Sequence, residues 1–327
     1  MLHRTAVSLS NNLLLILLLA ATGITEAQPI YPNRAVRLIV PYTVGTSMDL
    51  AARTVGQKAA ELWGVPVVVE NRPGAGGNIG SDAVAKSTPD GYTLLLNGTT
   101  LVINPHVIPN MPFDLQKDFS PVIQLVKGTL ALTVSGSLPA RTLAEFVAHI
   151  KARPGQLNYA SPGNGTPHHV GMELLKTSLG LEIVHVPYKG TGTAITDLIG
   201  GRVTAMLLPT PVALPQEKDG QLRILAAGTT RRSPLTAHVP TFEEQGQRGL
   251  DPDYWIGIFA PAGLPDDILR KLNTDFAATI AHPATREILE KQGFITTGTT
   301  SEAMTRIIVD DLVRWGNVVR TAKIKAD

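Results

Sequence analysis

The stretch NYASPGNGTPHHVGMELL, residues 158–175, decides the fold because it joins three kinds of local structure. Its apolar start predicts the end of a short strand. Pro162, Gly163 and Gly165 cannot continue that strand, because proline lacks an amide donor and glycine favours turns. Thr166 suits the N-cap of a following helix and Pro167 suits its first position. The stretch therefore predicts a strand, a glycine-rich loop and a helix N-terminus.

The predicted central loop, Ser161 to Thr166, has the properties of an anion-binding site. The first turn of a helix leaves backbone N–H groups without partners, and the macrodipole makes that end positive. Gly163 and Gly165 let a ligand approach the backbone, and Asn164 adds a short polar side chain. Such a loop can bind a carboxylate without any Arg or Lys. A tight turn without a ligand is the alternative that the pattern alone leaves open.

A second stretch, Val36 to Leu62, repeats this plan with a strand VRLIVPY, a loop TVGTSMD and a helix. Two such loops far apart in the sequence predict two lobes whose loops face one cleft. Asp49, just after the first loop, has three possible roles: it could cap the helix, contact a ligand donor or hold the loop.

Short apolar runs alternate with helical patterns along the rest of the chain. This alternation predicts an α/β fold with open, mostly parallel sheets and helices on both faces. In such sheets, ligands bind beyond the carboxyl ends of the strands. The loops at 42–49, 97–100, 161–166 and 187–193 all follow predicted strands, and we expect them to line the cleft. The proline-rich segment 104–121 predicts an irregular connection.

Composition and the N-terminus bear on compartment and partners. The formal net charge is +2 and the basic residues are scattered, which argues against a nucleic-acid surface. Leu13 to Ala21 is apolar but too short to span a membrane, and Thr25 to Ala27 offers a cleavage site, so residues 1–27 predict a signal peptide. A retained anchor is the alternative. The absence of cysteine excludes disulfides and thiol catalysis.

Known catalytic and cofactor motifs are missing. The glycine run PGAGGNIG fails the dinucleotide spacing, since G-x-G-x-x-G starting at Gly74 meets Ile79 in the last position. Walker A, G-x-S-x-G and H-E-x-x-H sequences are absent. We therefore expect no cofactor and no metal. His168 could hydrogen-bond a carboxylate or be structural, and Tyr188 could supply an aromatic wall or be buried. Lys189 has no acid–base partners in the sequence around it that would support Schiff-base catalysis.

Several segments together resemble the Bug (Bordetella uptake gene) receptors, the periplasmic solute-binding proteins of tripartite tricarboxylate transporters. The resemblance covers nearly all of the chain beyond the signal peptide and is carried by five segments: VVVENRPGAGGNIG (67–80), PDGYTLL (89–95), YASPGNGTPHH (159–169), HVPYKGTGTAITDLIGG (185–201) and GIFAPAGLP (257–265).

This resemblance implies a two-lobed, type II-like Venus-flytrap fold that binds a carboxylate in its cleft and has no catalytic machinery. We place one lobe at 28–128 plus 250–327 and the other at 129–249. Expected partners are the membrane subunits of such a transporter, and the protein is expected to be a periplasmic monomer. The predicted ligand-binding residues are Tyr42, Gly45, Ser47, Asp49, Thr99, Thr100, Ser161, Gly163, Asn164, Gly165, Thr166, His168, Tyr188 and Thr210.

The chain departs from the family pattern in its loops. Thr46 follows Gly45 where a second glycine is usual, and Met48 and Leu207 to Thr210 replace more polar residues. These differences favour a mono-, di- or aromatic carboxylate over an amino acid or a tricarboxylate. Two alternatives stay open: an exported hydrolase with Ser161 or Ser47 as nucleophile, and a ligand-sensing module for a signalling partner.

Overall fold

The computed structural model describes residues 31–229, 232, 236–248, 250 and 252–324. The predicted signal peptide, residues 1–27, lies outside these described residues. By its contacts the chain divides into Met1–Asn33 and Arg34–Asp327, and the account below concerns the second unit. Every helix within the described residues is too short or too polar to cross a bilayer.

Strands and helices alternate along the described chain. The strands are β1 Val36–Val40, β2 Val67–Asn71, β3 Thr93–Gly98, β4 Phe119–Ser135, β5 Asn158–Ser161, β6 Val184–Pro187, β7 Ala205–Pro209, β8 Leu222–Ala227, β9 Asp253–Pro261 and β10 Ile295–Thr296. The helices are α1 Ser47–Trp63, α2 Asn78–Ala85, α3 Thr100–Val107, α4 Leu115–Asp118, α5 Leu143–Lys151, α6 Pro167–Leu179, α7 Thr191–Ile199, α8 Thr210–Lys218, α9 Asp266–Ala281, α10 Pro283–Lys291 and α11 Ser301–Thr321, with a short 3₁₀ helix at Ala75–Gly77.

The strands form one sheet in the order β2-β1-β3-β9-β4-β7-β5-β6, and β8 and β10 also pair with β4. β1 is parallel to β2 and β3, and β5 is parallel to β6 and β7. β9 runs antiparallel to β3 and β4, and β4 runs antiparallel to β7 and β8. The predicted α/β class is confirmed. The sheet is mixed rather than mostly parallel, because its central strands β9 and β4 are antiparallel to each other and to the strands beside them.

The long strand β4 lies at the centre of this sheet and pairs with different strands along its two parts. Its residues Phe119 to Thr129 pair with β9, and its residues Leu130 to Ser135 pair with β7 and β8. We call β1, β2, β3 and β9 the first sheet half, and β5, β6, β7 and β8 the second sheet half. The chain thus crosses between the halves along β4 and returns to the first half at β9.

Each sheet half has its own apolar core. Leu95 and Phe259 of the first half pack in one cluster with Trp315 of α11. Met206 and Leu208 of the second half pack in another cluster with Leu198 of α7, and all of these side chains are buried. The loops that follow β1, β2, β5 and β6 line one common cavity.

One predicted connection is in fact ordered structure. The proline-rich segment 104–121, expected to be irregular, contains the end of α3, all of α4 and the start of β4. Pro105 lies inside α3 and removes an amide donor there. The helix nevertheless forms because Leu101, Val102 and Ile103 are completely or almost completely buried. Packing outweighs the unfavourable helix propensity of proline.

Candidate ligand-binding site

The central loop, Ser161 to Thr166, is held by its own side chains. Ser161 Oγ accepts a hydrogen bond from the Gly163 amide at 3.2 Å. Thr166 Oγ1 donates to the Gly163 carbonyl at 2.7 Å and accepts from the His169 amide at 3.4 Å. Thr166 is therefore the N-cap of α6, as its sequence position predicts. These contacts give the loop a fixed shape before any ligand arrives.

Two glycines are required by this shape. Gly163 has φ 140° and Gly165 has φ 72°, which are backbone conformations that other residues rarely adopt. A Cβ atom at Gly165 would also lie 2.5 Å from Asn104 Oδ1. Asn104 joins the central loop to the 3₁₀ helix, because its Nδ2 atom donates to the Gly76 carbonyl at 3.0 Å. The central loop is thus packed against the first sheet half with the Asn104 side chain between them.

Aromatic rings stack behind the central loop. The His169 and His185 rings lie 4.1 Å apart and the Tyr159 and His185 rings 4.8 Å apart, nearly parallel in both cases. His169 Nδ1 accepts a hydrogen bond from the Gly165 amide at 3.2 Å. Burial, and then the charges of His185 and Lys176, lower the pKa of His169 to about 3. His169 is therefore neutral at pH 7 and acts as a support for the loop.

The first loop, Tyr42 to Thr46, is tied down by Asp49 in the first turn of α1. Thr46, not Asp49, caps α1, since Thr46 Oγ1 accepts from the Asp49 amide. Asp49 instead accepts hydrogen bonds from the Gly45 amide at 2.9 Å, from Asn71 at 3.0 Å and from Arg53 at 3.1 Å. Its side chain is buried. Of the three roles left open for Asp49, the structure shows that of holding the loop.

A cavity of about 420 Å³ lies where the loops of the two sheet halves meet, and we call it the loop cavity. Its walls come from both halves. The lining residues are Pro41, Tyr42, Thr43, Thr46, Pro73, Gly74, Ala75, Gly76, Gly77, Pro162, Gly163, Thr166, Tyr188, Lys189 and Gly190. This volume falls in the range of small-molecule sites.

Lys189 is the one charged residue among those that line the loop cavity, all of which the structure describes. It is exposed, and no carboxylate shares the cavity with it. The Tyr188 hydroxyl points elsewhere, donating to Asp197 at 2.6 Å, so Tyr188 offers the cavity its ring. Burial, followed by the hydrogen bond and charge of Asp197, raises the pKa of Tyr188 to about 12. The cavity is therefore positive and otherwise uncharged.

Two predicted residues that do not line this cavity, His168 and Asn164, carry buried polar atoms. Both ring nitrogens of His168 and the Oδ1 atom of Asn164 are buried and lack a hydrogen-bond partner among the described residues. Burial lowers the pKa of His168 to about 4, so the ring is neutral at pH 7 and carries one N–H donor. His168 lies 6.4 Å from the ring of Tyr254, a residue of β9, and so stands at the seam between the halves. Buried polar groups of this kind normally have a partner.

A second cavity of about 370 Å³ adjoins the first, and we call it the side cavity. The two share Thr43 and Thr46. The predicted residues Gly45 and Ser47 line the side cavity rather than the loop cavity.

The predicted residues Thr99, Thr100 and Thr210 line neither the loop cavity nor the side cavity. Thr99 accepts from the Trp255 amide at 2.9 Å and so joins the end of β3 to β9. Thr100 is buried and hydrogen-bonds Tyr42, so it supports a lining residue. Thr210 lies at a separate cavity of about 600 Å³ beside Thr129 and Thr229.

Two features of the site were missed by the sequence analysis. The wall formed by Pro73 to Gly77 was considered only as a dinucleotide motif, although it follows β2 and so has the same position as the other lining loops. Lys189 was considered only as a nucleophile. Its place in the loop after β6, within the predicted lining segment 187–193, is the signal that could have marked it as a charge for an anionic ligand.

Neither serine offers a hydrolytic site. Ser161 Oγ lies 2.7 Å from His185 Nε2, which resembles a nucleophile and its base. Ser161 is completely buried, however, and its hydroxyl already bonds the Gly163 carbonyl and amide. Ser47 is hydrogen-bonded to Tyr254, not to a histidine. Within the described residues, three or more potential metal ligands do not cluster anywhere.

A two-part α/β sheet with a positive, loop-lined cavity between its halves is typical of solute-binding receptors. The chain belongs to the tripartite tricarboxylate transporter family receptors, whose family profile matches residues 51–324. The resemblance to Bug proteins is confirmed: BugT of Bordetella pertussis is 36% identical over 299 residues, covering 90% of this chain and 92% of BugT. The family consists of receptors and not of enzymes.

Solved structures agree with this assignment. An R. palustris protein whose structure contains adipate has 34% identity and a TM-score of 0.86, covering 90% of this chain and 99% of its own. MatC from Rhodopseudomonas palustris, solved with bound malate, has 29% identity and a TM-score of 0.84, covering 88% of this chain and all of its own. The predicted periplasmic-binding-protein fold is confirmed by these likenesses.

Proposed function

We propose that this protein is an exported receptor that captures a small organic carboxylate in the loop cavity and delivers it to the membrane subunits of a tripartite transporter. The bound adipate and malate of the two R. palustris relatives support the carboxylate class. The family to which the chain belongs supports the transporter. Under this proposal residues 1–27 direct export to the periplasm and are removed, and the receptor works as a monomer.

The observation that carries the proposal is the electrostatic character of the loop cavity. Lys189 supplies a positive charge, and the cavity lining contains no acidic residue. Gly190, which lines the loop cavity, is the N-cap of α7 and makes no side-chain cap, so the positive end of that helix lies at the cavity. An anion gains from both features, whereas a cation or a neutral sugar gains from neither.

The proposed ligand would also draw the two lobes together. We assign residues 28–128 plus 250–327 to one lobe and 129–249 to the other. Because the loop cavity is walled by both sheet halves, a ligand there contacts both lobes only when they are close. A ligand can shift such an equilibrium by its differential affinity for the closed state.

Native mass spectrometry, followed by denaturation and identification of any released small molecule, tests the proposal. We expect a compound with at least one carboxylate. Calorimetric titration of the ligand-free protein with that compound should then show one site per chain. Release of a sugar, a cationic amine or a nucleotide, together with no calorimetric response to any carboxylate, would refute the proposed function.

A further inference from the structure

Exposed apolar side chains converge at the side cavity. Val44 is 69% exposed, Leu50 is 43% exposed and Val212 is 37% exposed, and all three line this one cavity. Ile195 of α7 completes the apolar wall. Single exposed apolar residues are ordinary, but a contiguous group marks a binding surface.

The side cavity adjoins the loop cavity. Thr43 and Thr46 of the first loop line both, so they stand between the two spaces. The apolar wall also comes from both sheet halves: Leu50 lies on α1, whereas Ile195 lies on α7. A molecule that begins in the loop cavity can therefore extend past these threonines into apolar surroundings.

The charged residue that lines the side cavity is already paired. Lys291 is the one charged residue among those that line it, and its Nζ atom lies 2.7 Å from Glu287 Oε1. Because this ion pair is exposed, Lys291 would attract a second carboxylate only weakly, and Glu287 competes for it. The second carboxylate would also lose its hydration against Val44, Leu50 and Val212, which is costly for a charged group.

We propose that the ligand is an amphipathic monocarboxylate whose acid group occupies the loop cavity and whose apolar body, an aromatic ring or an aliphatic chain, occupies the side cavity. This inference rests on the proposed function and adds the chemical class of the substrate. It distinguishes this chain from relatives solved with adipate or malate, because those ligands carry a carboxylate at each end.

Calorimetric titration with butanoate, pentanoate, hexanoate and adipate tests the proposal. Burying each added methylene should tighten binding about fourfold along the monocarboxylate series. Adipate has the same number of carbon atoms as hexanoate but ends in a second carboxylate, so we expect it to bind at least ~10-fold more weakly. Phenylacetate should bind like the longer chains. Adipate binding as tightly as hexanoate would overturn the inference.

Variants of two residues that line the side cavity test whether the apolar body of the ligand binds there. Leu50→Gln and Val44→Asn should lower the gain in affinity for each added methylene, so that hexanoate and butanoate bind with nearly equal affinity. Val313→Gln is the matched control, because Val313 of α11 is 63% exposed and lines neither cavity. A full gain per methylene in the folded Leu50 and Val44 variants would also overturn the inference. If no carboxylate binds the wild-type protein at all, the proposed function itself fails.

Discussion

The Oδ2 atom of Asp49 accepts a hydrogen bond from the Gly45 amide at 2.9 Å, so the first turn of α1 holds the loop that leads into it. Arg53, one turn further along α1, pairs with the same carboxylate, with 2.9 Å between Arg53 Nη2 and Asp49 Oδ1. The first loop is therefore supported by a buried carboxylate that has donors on several sides.

Asp49→Asn should destabilise the protein at neutral pH. The new side chain has an NH₂ donor where the carboxylate had an acceptor oxygen. This donor would face the Gly45 amide, the Arg53 guanidinium or the Asn71 amide, which are also donors. Hydrogen bonds to charged groups contribute about 1.5–3 kcal/mol each, so we expect a loss of ~2 kcal/mol in the free energy of unfolding. Urea denaturation of both proteins at neutral pH measures this difference.

The same substitution should change the response to acid. Burial alone would raise the pKa of Asp49, but hydrogen bonds from Arg53, Gly45 and Asn71 and the charge of Arg53 outweigh it and lower the pKa below 3.8. A carboxyl with a lowered pKa stabilises the fold above its unfolded pKa and loses that effect as the pH falls through its folded pKa. The gap between wild type and Asp49→Asn should therefore narrow in acid. An equal gap at every pH would contradict this assignment.

Thr166→Val should weaken both α6 and ligand binding. The valine removes the N-cap and the hydrogen bond to the Gly163 carbonyl, at a cost of about 1 kcal/mol. If this loss of free energy comes entirely from distortion of the central loop, affinity for the carboxylate should drop about fivefold. Denaturation and calorimetry on the same sample measure the two effects.

Thr142→Val is the matched control for this experiment. Thr142 is the N-cap of α5, accepts from the Glu145 amide at 3.1 Å and lines neither cavity. It should lose a similar free energy of unfolding while its ligand affinity stays at the wild-type value. Equal effects of both substitutions on binding would mean that the central loop is only a turn.

Lys189→Gln should lower carboxylate affinity in a salt-dependent way. Because Lys189 is exposed, its charge contributes no more than ~1 kcal/mol, which corresponds to about fivefold in affinity at low ionic strength. Screening should remove most of this difference near 0.5 M salt. Lys151→Gln, on the exposed end of α5, serves as the control of equal charge change. An equal loss of carboxylate affinity in both variants would show that the net charge of the protein, and not a contact with Lys189, affects binding.

Acid should destabilise the fold through the buried histidines. Burial lowers the pKa of His168 from 6.5 to about 4, and burial with neighbouring charges lowers that of His169 to about 3. The unfolded chain therefore binds protons that the folded chain excludes once the pH falls below 6.5. Each histidine should cost about 2 kcal/mol of stability by about pH 5.

His168→Gln tests this pH dependence, because the amide does not titrate. Urea denaturation from about pH 8 to about pH 5 should show a flatter decline in stability for the variant than for the wild type. Parallel declines would show that His168 becomes protonated in the folded state as easily as in the unfolded one.

Local patterns in the sequence predicted much of the fold. Thr166 and Pro167 mark the start of α6, and the pattern in Val36 to Leu62 gives β1 and α1. Both depend on interactions between residues a few positions apart. The direction of β9 could not be predicted this way, because its partners β3 and β4 lie more than a hundred residues earlier in the chain. The helix around Pro105 was missed because long-range packing, rather than local preference, decides it.

The candidate site was predicted as a set of loops but not as a set of contacts. The rule that ligands bind at strand ends gave the first loop, the central loop and the loop around Lys189. It could not show that the Tyr188 hydroxyl is taken by Asp197, or that Thr210 faces another cavity, because side-chain direction depends on neighbours from distant segments. It also could not separate Met48, which is almost completely buried, from Val44, which lines the side cavity.

The central position of β9 makes the order of folding depend on the end of the chain. β3 and β4 can join only through β9, and β9 begins at Asp253, far beyond the end of β4 at Ser135. At a synthesis rate of 5–20 residues per second, roughly 6–24 s separate the appearance of these strands. Until then, β3 and the first part of β4 present unpaired edges, which are prone to associate with other chains. The first sheet half is thus completed late, by contacts of high sequence separation that slow folding.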